Sequence, residues 1–138
     1  MNVLFDTNVV LDVLLGREPF VHDSAQTMAL VERGEVRGSL CATTVTTLFY
    51  LCHRALDVRQ ARMHVGALLD LFDVAPVTRV VLAEALEAAF ADYEDAVLHA
   101  AARHAGCHAI VTRNVRDFAA ASLPIYAPRE LLLTRPNA

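Results

Sequence analysis

The sequence predicts an α/β fold, a three-layer α/β/α sandwich with a short, mostly parallel central sheet. Short apolar runs that are typical of buried strands alternate along the chain with longer helical segments. Connections of helical length between strands require right-handed crossovers, which produce parallel sheets with helices on both faces. Small side chains on a late segment would let its helix lie close to the sheet; they are Ala96, Ala100, Ala101 and Ala105.

The first strand and the first two helices have clear boundaries in the sequence. Residues 2–6 form a short apolar run, and Thr7-Asn8 directly after it is a good helix start. The first helix is then expected over residues 9–15. A second helix covers residues 22–33 and stops at Gly34, a residue suited to a helix C-terminus.

The remaining elements continue the alternation. Residues 39–42 predict a strand, and Thr43 or Thr44 is the expected cap of a helix that runs to residue 55. The segment Asp57-Val58-Arg59-Gln60 is a plausible capping box for a helix that ends near residue 71. Later elements are a strand at 72–74, helices at 78–89 and 92–105, strands at 108–112 and 124–126, and a terminal helix at 129–133.

Length and composition describe a folded protein with a substantial core. The chain has 138 residues, of which 55% are hydrophobic and 20% are charged. This length predicts a single domain over residues 1–138. No apolar run approaches the ~18 residues of a membrane span, and the start of the chain lacks the pattern of a signal peptide. Three widely spaced cysteines indicate free thiols. We therefore expect a cytoplasmic protein without a membrane partner.

The net charge of −4 leaves two interpretations of nucleic-acid binding open. Proteins that bind nucleic acid through general electrostatics carry many basic residues that neutralise phosphates. Either this protein does not bind nucleic acid, or its acidic residues are concentrated in one metal site while a local basic surface contacts phosphate. The arginines available for such a surface are Arg54, Arg103, Arg113 and Arg116.

Acidic residues occur where a parallel sheet would gather them. Asp6 closes the first strand, and Asp117 follows the strand at 108–112. Asp92 and Asp95 open the alanine-rich helix between them in sequence. Ligands of open parallel sheets bind at the carboxyl ends of the strands. Clustered carboxylates stay ionised together only if a cation offsets their charge, and oxygen ligands favour Mg²⁺ or Mn²⁺ over zinc. The pattern predicts a metal site for phosphodiester chemistry.

Each of these acidic residues also has a purely structural interpretation. Asp6 is able to cap the following helix, although an apolar strand rarely needs a carboxylate at its end. Asp92 and Asp95 both suit a helix start, where they stabilise the free N–H groups and the macrodipole. Their spacing of three residues also places both carboxylates on one helix face, where they can point at a single ion.

The segment after the strand at 108–112 has the same ambiguity. Asn114 is a cap candidate, with Asp117 three residues later. Arg113 and Arg116 beside them suit a rim that contacts phosphate, or they are simply solvated charges. The histidines show no zinc-binding spacing; they are His22, His53, His64, His99, His104 and His108.

Three segments taken together resemble the PIN domain family and, within it, the VapC-like toxin group of bacterial toxin–antitoxin modules. The segments are Leu4-Phe5-Asp6-Thr7-Asn8-Val9-Val10-Leu11-Asp12, Asp92-Tyr93-Glu94-Asp95-Ala96, and Ile110-Val111-Thr112-Arg113-Asn114-Val115-Arg116-Asp117-Phe118. The tail Pro128-Arg129-Glu130-Leu131-Leu132 also fits the way such domains end. The resemblance extends from Asn2 to about Leu132.

This resemblance implies a Mg²⁺- or Mn²⁺-dependent endoribonuclease that acts on RNA, is often a homodimer, and is held inactive by an antitoxin peptide. Asp6 would be the first metal ligand, Asp95 the second, and Asp117 would complete the cluster directly or through water. Asp92 would add negative charge one turn away. Thr7 or Asn114 would orient ligands or water.

One position departs from the family pattern and keeps other functions open. PIN domains commonly carry a glutamate in the helix after the second strand, and this chain has Thr47 there. A hydroxyl can hold a metal-bound water but does not replace the charge of a carboxylate. The alternative is a catalytically weakened module that binds RNA or protein. A structure-specific DNA nuclease would use the same acidic residues.

Overall fold

A computed structural model describes residues 1–134 and confirms the predicted α/β sandwich. The last four positions of the predicted domain, 135–138, lie outside the described residues. The elements are β1 (Asn2–Phe5), α1 (Thr7–Leu14), α2 (Val21–Glu32), β2 (Arg37–Cys41), α3 (Ala42–Ala55), α4 (Val58–Leu71), β3 (Asp73–Ala75), α5 (Arg79–Glu87), α6 (Tyr93–His104), β4 (Ala109–Val111), a 3₁₀ turn (Val115–Phe118), β5 (Ile125–Tyr126) and α7 (Pro128–Thr134).

The sheet has five strands in the order β3-β2-β1-β4-β5, and every pairing within the described residues is parallel. The chain winds outward from β1 through β2 to β3, then crosses back to β4 on the other side of β1. This reversal makes the crevice between the carboxyl ends of β1 and β4 the topological switch point, where ligands of such sheets bind. Leu4 lies opposite Ile110, and Phe5 lies opposite Val111.

Two cores cover the two faces of the sheet because side chains alternate along each strand. Val3 and Phe5 of β1 belong to one core, together with residues of α1, α2, α3, α4 and α7. Leu4 faces the other core, which α5 and α6 close. The alanines of α6 pack there as expected, and Ala101 is fully buried. The layer order is therefore helices, sheet, helices.

Several helix boundaries follow the predicted capping residues. Asp57 accepts a 2.8 Å hydrogen bond from the Gln60 amide at the start of α4. Thr78, predicted as the first residue of a helix, is instead the N-cap of α5 and accepts from the amide of Val81. Gly34 and Gly106 follow the ends of α2 and α6 with positive φ angles of 73° and 77°, the conformation that favours glycine there.

Other boundaries correct the sequence predictions. Asp6 is the N-cap of α1 and not the last residue of β1, and α1 begins at Thr7. Neither Thr43 nor Thr44 caps α3, because this helix begins at Ala42 directly after β2, with Cys41 at the cap position. Phe72 is the C-cap of α4 and not the first residue of β3, which begins at Asp73. The ring of Phe72 packs edge-on against Phe5 at a centroid distance of 5.1 Å. The 3₁₀ turn at Val115–Phe118 was not predicted. No helix within residues 1–134 is both long and apolar enough to cross a membrane.

Candidate active site

An acidic cleft of about 400 Å³ lies at the switch point of the sheet. Most of the residues predicted for the site line it: Asp6, Thr7, Asp92, Asp95, Arg113, Asn114 and Asp117. Arg116 is the exception. It lines an adjoining cleft on the other side of Asn114 and Asp117. The fold therefore gathers residues from three distant segments around one space.

Asp6 is the most rigidly held carboxylate of the acidic cleft. Its side chain is only 7% exposed. One oxygen accepts a 2.7 Å hydrogen bond from the backbone amide of Thr7, and the other accepts a 2.7 Å bond from the hydroxyl of Thr112. The amide of Asp6 in turn donates to the carbonyl of Val111 at 2.9 Å. The start of α1 is thus fixed against the end of β4.

Hydrogen bonds extend this frame to the neighbouring segments. The hydroxyls of Thr7 and Thr44 lie 2.9 Å apart and connect α1 to α3. The side-chain oxygen of Asn8 accepts from the amide of Arg113 at 3.3 Å. The Thr112 hydroxyl also accepts from the amide of Asn114 at 3.0 Å. The floor of the acidic cleft is therefore pre-formed by interactions among loops that lie far apart in sequence.

Asp92 and Asp95 have different surroundings although they share one helix start. Asp92 is exposed and caps α6, since its carboxylate accepts a 3.1 Å hydrogen bond from the amide of Asp95. Asp95 is half-buried one turn into the same end of the helix. The structural role proposed for Asp92 is thus present, and it leaves Asp95 free to face the acidic cleft.

The carboxyl group of Asp95 is strongly perturbed. Its pKa rises to about 7, first because burial disfavours the charged form and then because negative charges surround it. Those charges are Asp6, Asp92, Asp117 and Glu94. Burial likewise raises the pKa of Asp6, against the hydrogen bonds from Thr112 and Thr7. Like charges repel across one partly buried space here.

Asp117 and Asn114 lie on the exposed lip of the acidic cleft. Both side chains are exposed, and the amide of Asp117 donates to the Asn114 carbonyl at 3.0 Å in the 3₁₀ turn. The Asn114 side chain does not cap that turn. Asn114 thus stands at the predicted cap position without the side-chain hydrogen bond of a cap.

Thr47 lines the acidic cleft from α3. Its neighbours in the lining include Leu51, one turn further along the same helix, and Leu11 of α1. Thr47 therefore contributes a hydroxyl group and no charge to this wall of the acidic cleft.

A buried ion-pair network supports the acidic cleft from behind, and its centre is Asp12. Asp12 is fully buried, and both of its oxygens accept from Arg113, at 2.7 Å from Nε and 3.2 Å from Nη2. Arg17 donates to the same carboxylate from Nε at 2.9 Å, and the hydroxyl of Ser24 adds a 3.3 Å bond. Two guanidinium groups at the cleft are thereby held in place by one charge.

Comparison with known proteins identifies the family. A family model described as PIN domain matches residues 2–116, which is most of the chain. This chain belongs to the PIN domain family. No curated protein sequence matches it.

Several solved structures share the fold of this PIN domain over nearly its whole length. The VapBC2 complex of Rickettsia felis bound to a promoter DNA fragment gives a TM-score of 0.71 at 11% identity, covering 92% of this chain and 98% of that chain. A toxin–antitoxin complex from Klebsiella pneumoniae gives 0.68 at 21% identity, covering 91% and 97%. Mycobacterium tuberculosis VapC20, a sarcin–ricin loop cleaving toxin, gives 0.62 at 15% identity, covering 78% and 86%. At these identities the likeness concerns the fold.

The donor chemistry of the acidic cleft fits a hard divalent cation. Its lining offers carboxylate, hydroxyl and amide oxygens and contains neither histidine nor cysteine. Within residues 1–134, no group of three or more histidine, cysteine, aspartate or glutamate side chains is positioned to hold a metal ion. The fit is therefore to an ion that keeps several waters and takes one or two carboxylates, as Mg²⁺ commonly does.

Sequence reasoning missed the residues that hold the site together. Asp12, Arg17 and Thr112 were not chosen, although Asp12 stands within the segment that carries the family resemblance. A signal for Asp12 was present, since a charged residue on the apolar side of a short helix demands a partner. Arg113 was predicted to contact phosphate. Its guanidinium donates to Asp12 from Nε and from Nη2, so a phosphate contact would use the N–H groups of Nη1 or the second N–H of Nη2.

Replacing Asp12 with asparagine is expected to destabilise the fold by about 2–4 kcal/mol, because it leaves two guanidinium groups without their shared counter-charge. The measurement is urea unfolding followed by circular dichroism. Asp73→Asn is the matched control, since Asp73 pairs with Arg37 at 2.9 Å on the surface and this change is expected to cost under ~1 kcal/mol. Equal losses in the two variants would contradict the assigned role of Asp12.

The raised pKa of Asp95 predicts a pH-dependent effect of Asp95→Asn on the metal-free protein. Because the folded state binds this proton more tightly than the unfolded chain, whose aspartate pKa is about 4, stability falls as pH rises toward the folded pKa of about 7. At pH 8 the substitution removes an unfavourable charge and is expected to raise Tm by roughly 2–5 °C. At pH 5 the folded carboxyl group is protonated while that of the unfolded chain is largely ionised, so the rise in Tm is expected to be smaller than at pH 8, and it should vanish only below about pH 3.

Thermal unfolding in the presence of a chelator measures this effect. Asp70→Asn, at an exposed position on α4, is the control for a general loss of charge. A stabilisation of Asp95→Asn that is the same at pH 5 and pH 8 would show that the carboxyl group is not perturbed by its neighbours.

Proposed function

We propose that this PIN domain is a Mg²⁺- or Mn²⁺-dependent endoribonuclease that hydrolyses RNA phosphodiester bonds, and that it is the toxin of a toxin–antitoxin pair. The observation that carries the proposal is the acidic cleft. There Asp6 and Asp95 share a partly buried space with Asp117, and the pKa of Asp95 reaches about 7. A bound divalent cation would offset the charge of this set of carboxylates, which Arg113 offsets only in part at Asp6.

Different residues of the acidic cleft would bind the metal ion and orient the substrate. Asp6 and Asp95 would be the metal ligands, with Asp117 completing the set through water, since the described residues contain no group of three such side chains positioned to hold one ion. When bound, a divalent ion lowers the pKa of its water and polarises a phosphoryl oxygen. Thr7 holds Asp6 in a fixed orientation through its amide, and Asp92 keeps the α6 helix start in place. Asn114 at the lip has the amide group to orient a water or a phosphate.

Although the net charge of the chain is negative, two arginines provide local positive charge at the acidic cleft. Arg17 lines the acidic cleft and is 37% exposed at its side chain, while Arg113 is 23% exposed. Both are pre-oriented by Asp12, so they would lose little freedom when they contact a phosphate. Arg116, which lines the adjoining cleft, would contact the RNA backbone further along. Arg103 instead pairs with Glu84, outside both clefts.

The similar solved structures support the proposed partner and substrate class. The similar chains come from complexes named as VapBC or as toxin–antitoxin pairs, which supports an antitoxin protein as the partner of this chain. VapC20 is named as a toxin that cleaves the sarcin–ricin loop, which supports RNA as the substrate class. A homodimer and a cytoplasmic location belong to the proposal through the family resemblance.

Thr47 supports a second candidate function, a catalytically weakened PIN domain that binds RNA or protein. The residue lies at the cleft where the family commonly has a glutamate, and it provides no charge for a metal. The two candidates differ in what a restored carboxylate would do. If the protein is an enzyme that binds metal weakly, the added carboxylate raises its affinity for the metal ion. If the protein does not bind metal, the added carboxylate only repels the other acidic residues of the cleft.

Replacing Asp6 or Asp95 with asparagine is expected to reduce RNA cleavage at least ~100-fold, because each substitution removes a proposed metal ligand. Cleavage of a labelled RNA is followed with Mg²⁺, with Mn²⁺ and after chelation. Asp70→Asn is the control for charge, and flap DNA of matching sequence tests the DNA-nuclease alternative. Undiminished cleavage by Asp6→Asn under the same metal conditions would remove the assignment.

Restoring a carboxylate with Thr47→Glu is expected to tighten Mn²⁺ binding about tenfold, since the new side chain adds charge to the same cleft. Calorimetric titration of the metal measures the change. Thr46→Glu adds the same charge at the neighbouring exposed position and should leave the affinity nearly unaltered. Metal affinity that rises equally in both variants would indicate a general charge effect, and no rise in either would favour the binding module.

A further inference from the structure

A second cavity of about 420 Å³ lies next to the acidic cleft. Arg113 and Asn114 line both spaces, so the two spaces adjoin at these residues. The other walls of the cavity come from the loop before α2, from the first turn of α2 and from the start of α7; they are Pro19, Phe20, Asp23, Ser24, Ala127, Pro128 and Arg129. The volume falls within the range of small-molecule pockets, about 300–1,000 Å³.

Phe20 and Arg113 form a stacked pair in the wall of this cavity. The guanidinium carbon of Arg113 lies 3.8 Å from the centre of the Phe20 ring. Phe20 nevertheless remains 40% exposed, so a large apolar ring is presented where a second planar group can pack. The Arg113 side of the pair is itself fixed by the buried carboxylate of Asp12. The ring and guanidinium thus form a rigid stacking surface.

We propose that this cavity is the binding subsite for one unstacked base of the RNA substrate, adjacent to the phosphate held in the acidic cleft, with Phe20 and Arg113 as its stacking surface. Bases of single-stranded RNA are recognised by stacking on aromatic side chains and on arginine planes. This inference rests on the proposed ribonuclease function and adds to it where the base beside the scissile phosphate binds.

The wall of the cavity carries one carboxylate and two guanidinium groups, which can contact a base and its phosphate at different points. Asp23 lines the wall as an acceptor for N–H groups on a base edge. Arg129 lies at the other wall, and Arg113 lies between the cavity and the acidic cleft. A nucleotide that spans the two spaces would therefore meet a carboxylate at its base and guanidinium groups at its phosphates.

Substitution of Phe20 tests the subsite, with leucine and tyrosine as a matched pair. Phe20→Leu keeps an apolar side chain and removes the aromatic face, whereas Phe20→Tyr keeps that face. Tyr50→Leu is the control at another exposed aromatic, since Arg54 also lies over its ring, at 5.6 Å, outside both spaces. Thermal unfolding checks that each variant remains folded.

Two readouts are taken on the full-length chain. Binding of a short single-stranded RNA is measured by fluorescence anisotropy in the presence of a chelator, which prevents metal-dependent cleavage. Cleavage of a randomised RNA pool is measured with Mn²⁺, and the cut ends are sequenced. Phe20→Leu is expected to weaken RNA binding about tenfold and to erase the base preference at one position beside the cut. Phe20→Tyr and Tyr50→Leu should match the parent in both.

The two readouts separate failure of this inference from failure of the proposed function. A parent protein that binds RNA but cleaves none would overturn the ribonuclease function, while the binding readout would still decide the role of Phe20. Equal RNA binding by the parent and Phe20→Leu overturns the base subsite, as does a parent that binds no RNA. If Phe20→Leu and Phe20→Tyr weaken RNA binding equally, the base subsite is also overturned, because the tyrosine keeps the aromatic face on which the base would stack.

Discussion

The pairing of β1 with β4 is the constraint on which the rest of the site depends. These strands lie more than 100 residues apart in sequence, and their parallel register sets Phe5 opposite Val111. The next residues then meet across the switch point, where Thr112 donates to Asp6 at 2.7 Å. A shift of one residue in this register would turn Asp6 away from the crevice and bury the wrong face of each strand. The hydrophobic alternation of β1 therefore fixes the position of its acidic end as well as its core packing.

Two aspartates near this crevice are surrounded by charges of opposite sign. Asp12 is fully buried, and the chain supplies its positive partners in Arg17 and Arg113. Asp95 is half-buried, and this burial together with its negative neighbours raises its pKa to about 7. The chain thus neutralises the carboxylate that supports the site and leaves uncompensated the one that faces the acidic cleft. An external cation is the natural complement of the second arrangement, whereas the first needs none.

Much of this architecture could be predicted from the sequence because its signals are local. Apolar runs, capping residues such as Asp57, and glycines such as Gly34 gave the order of the elements. The acidic cleft could be predicted because parallel strands all end at one edge. The Asp12 network could not, since its partner Arg113 is 101 residues away and no spacing rule connects them. The start of α3 at Ala42 also escaped, because β2 passes directly into this helix without a side-chain cap. A single domain over residues 1–138 and the roles of the site residues stay predictions.

The central claim is that Asp6 and Asp95 form a divalent cation site, and calorimetric titration of Mg²⁺ and Mn²⁺ into the chelator-treated protein tests it most directly. The account predicts binding to the parent at pH 8, weaker binding at pH 6 as protons compete for Asp95, and its loss in both Asp6→Asn and Asp95→Asn. Binding that survives both substitutions, or no binding to the parent at millimolar metal, would contradict it.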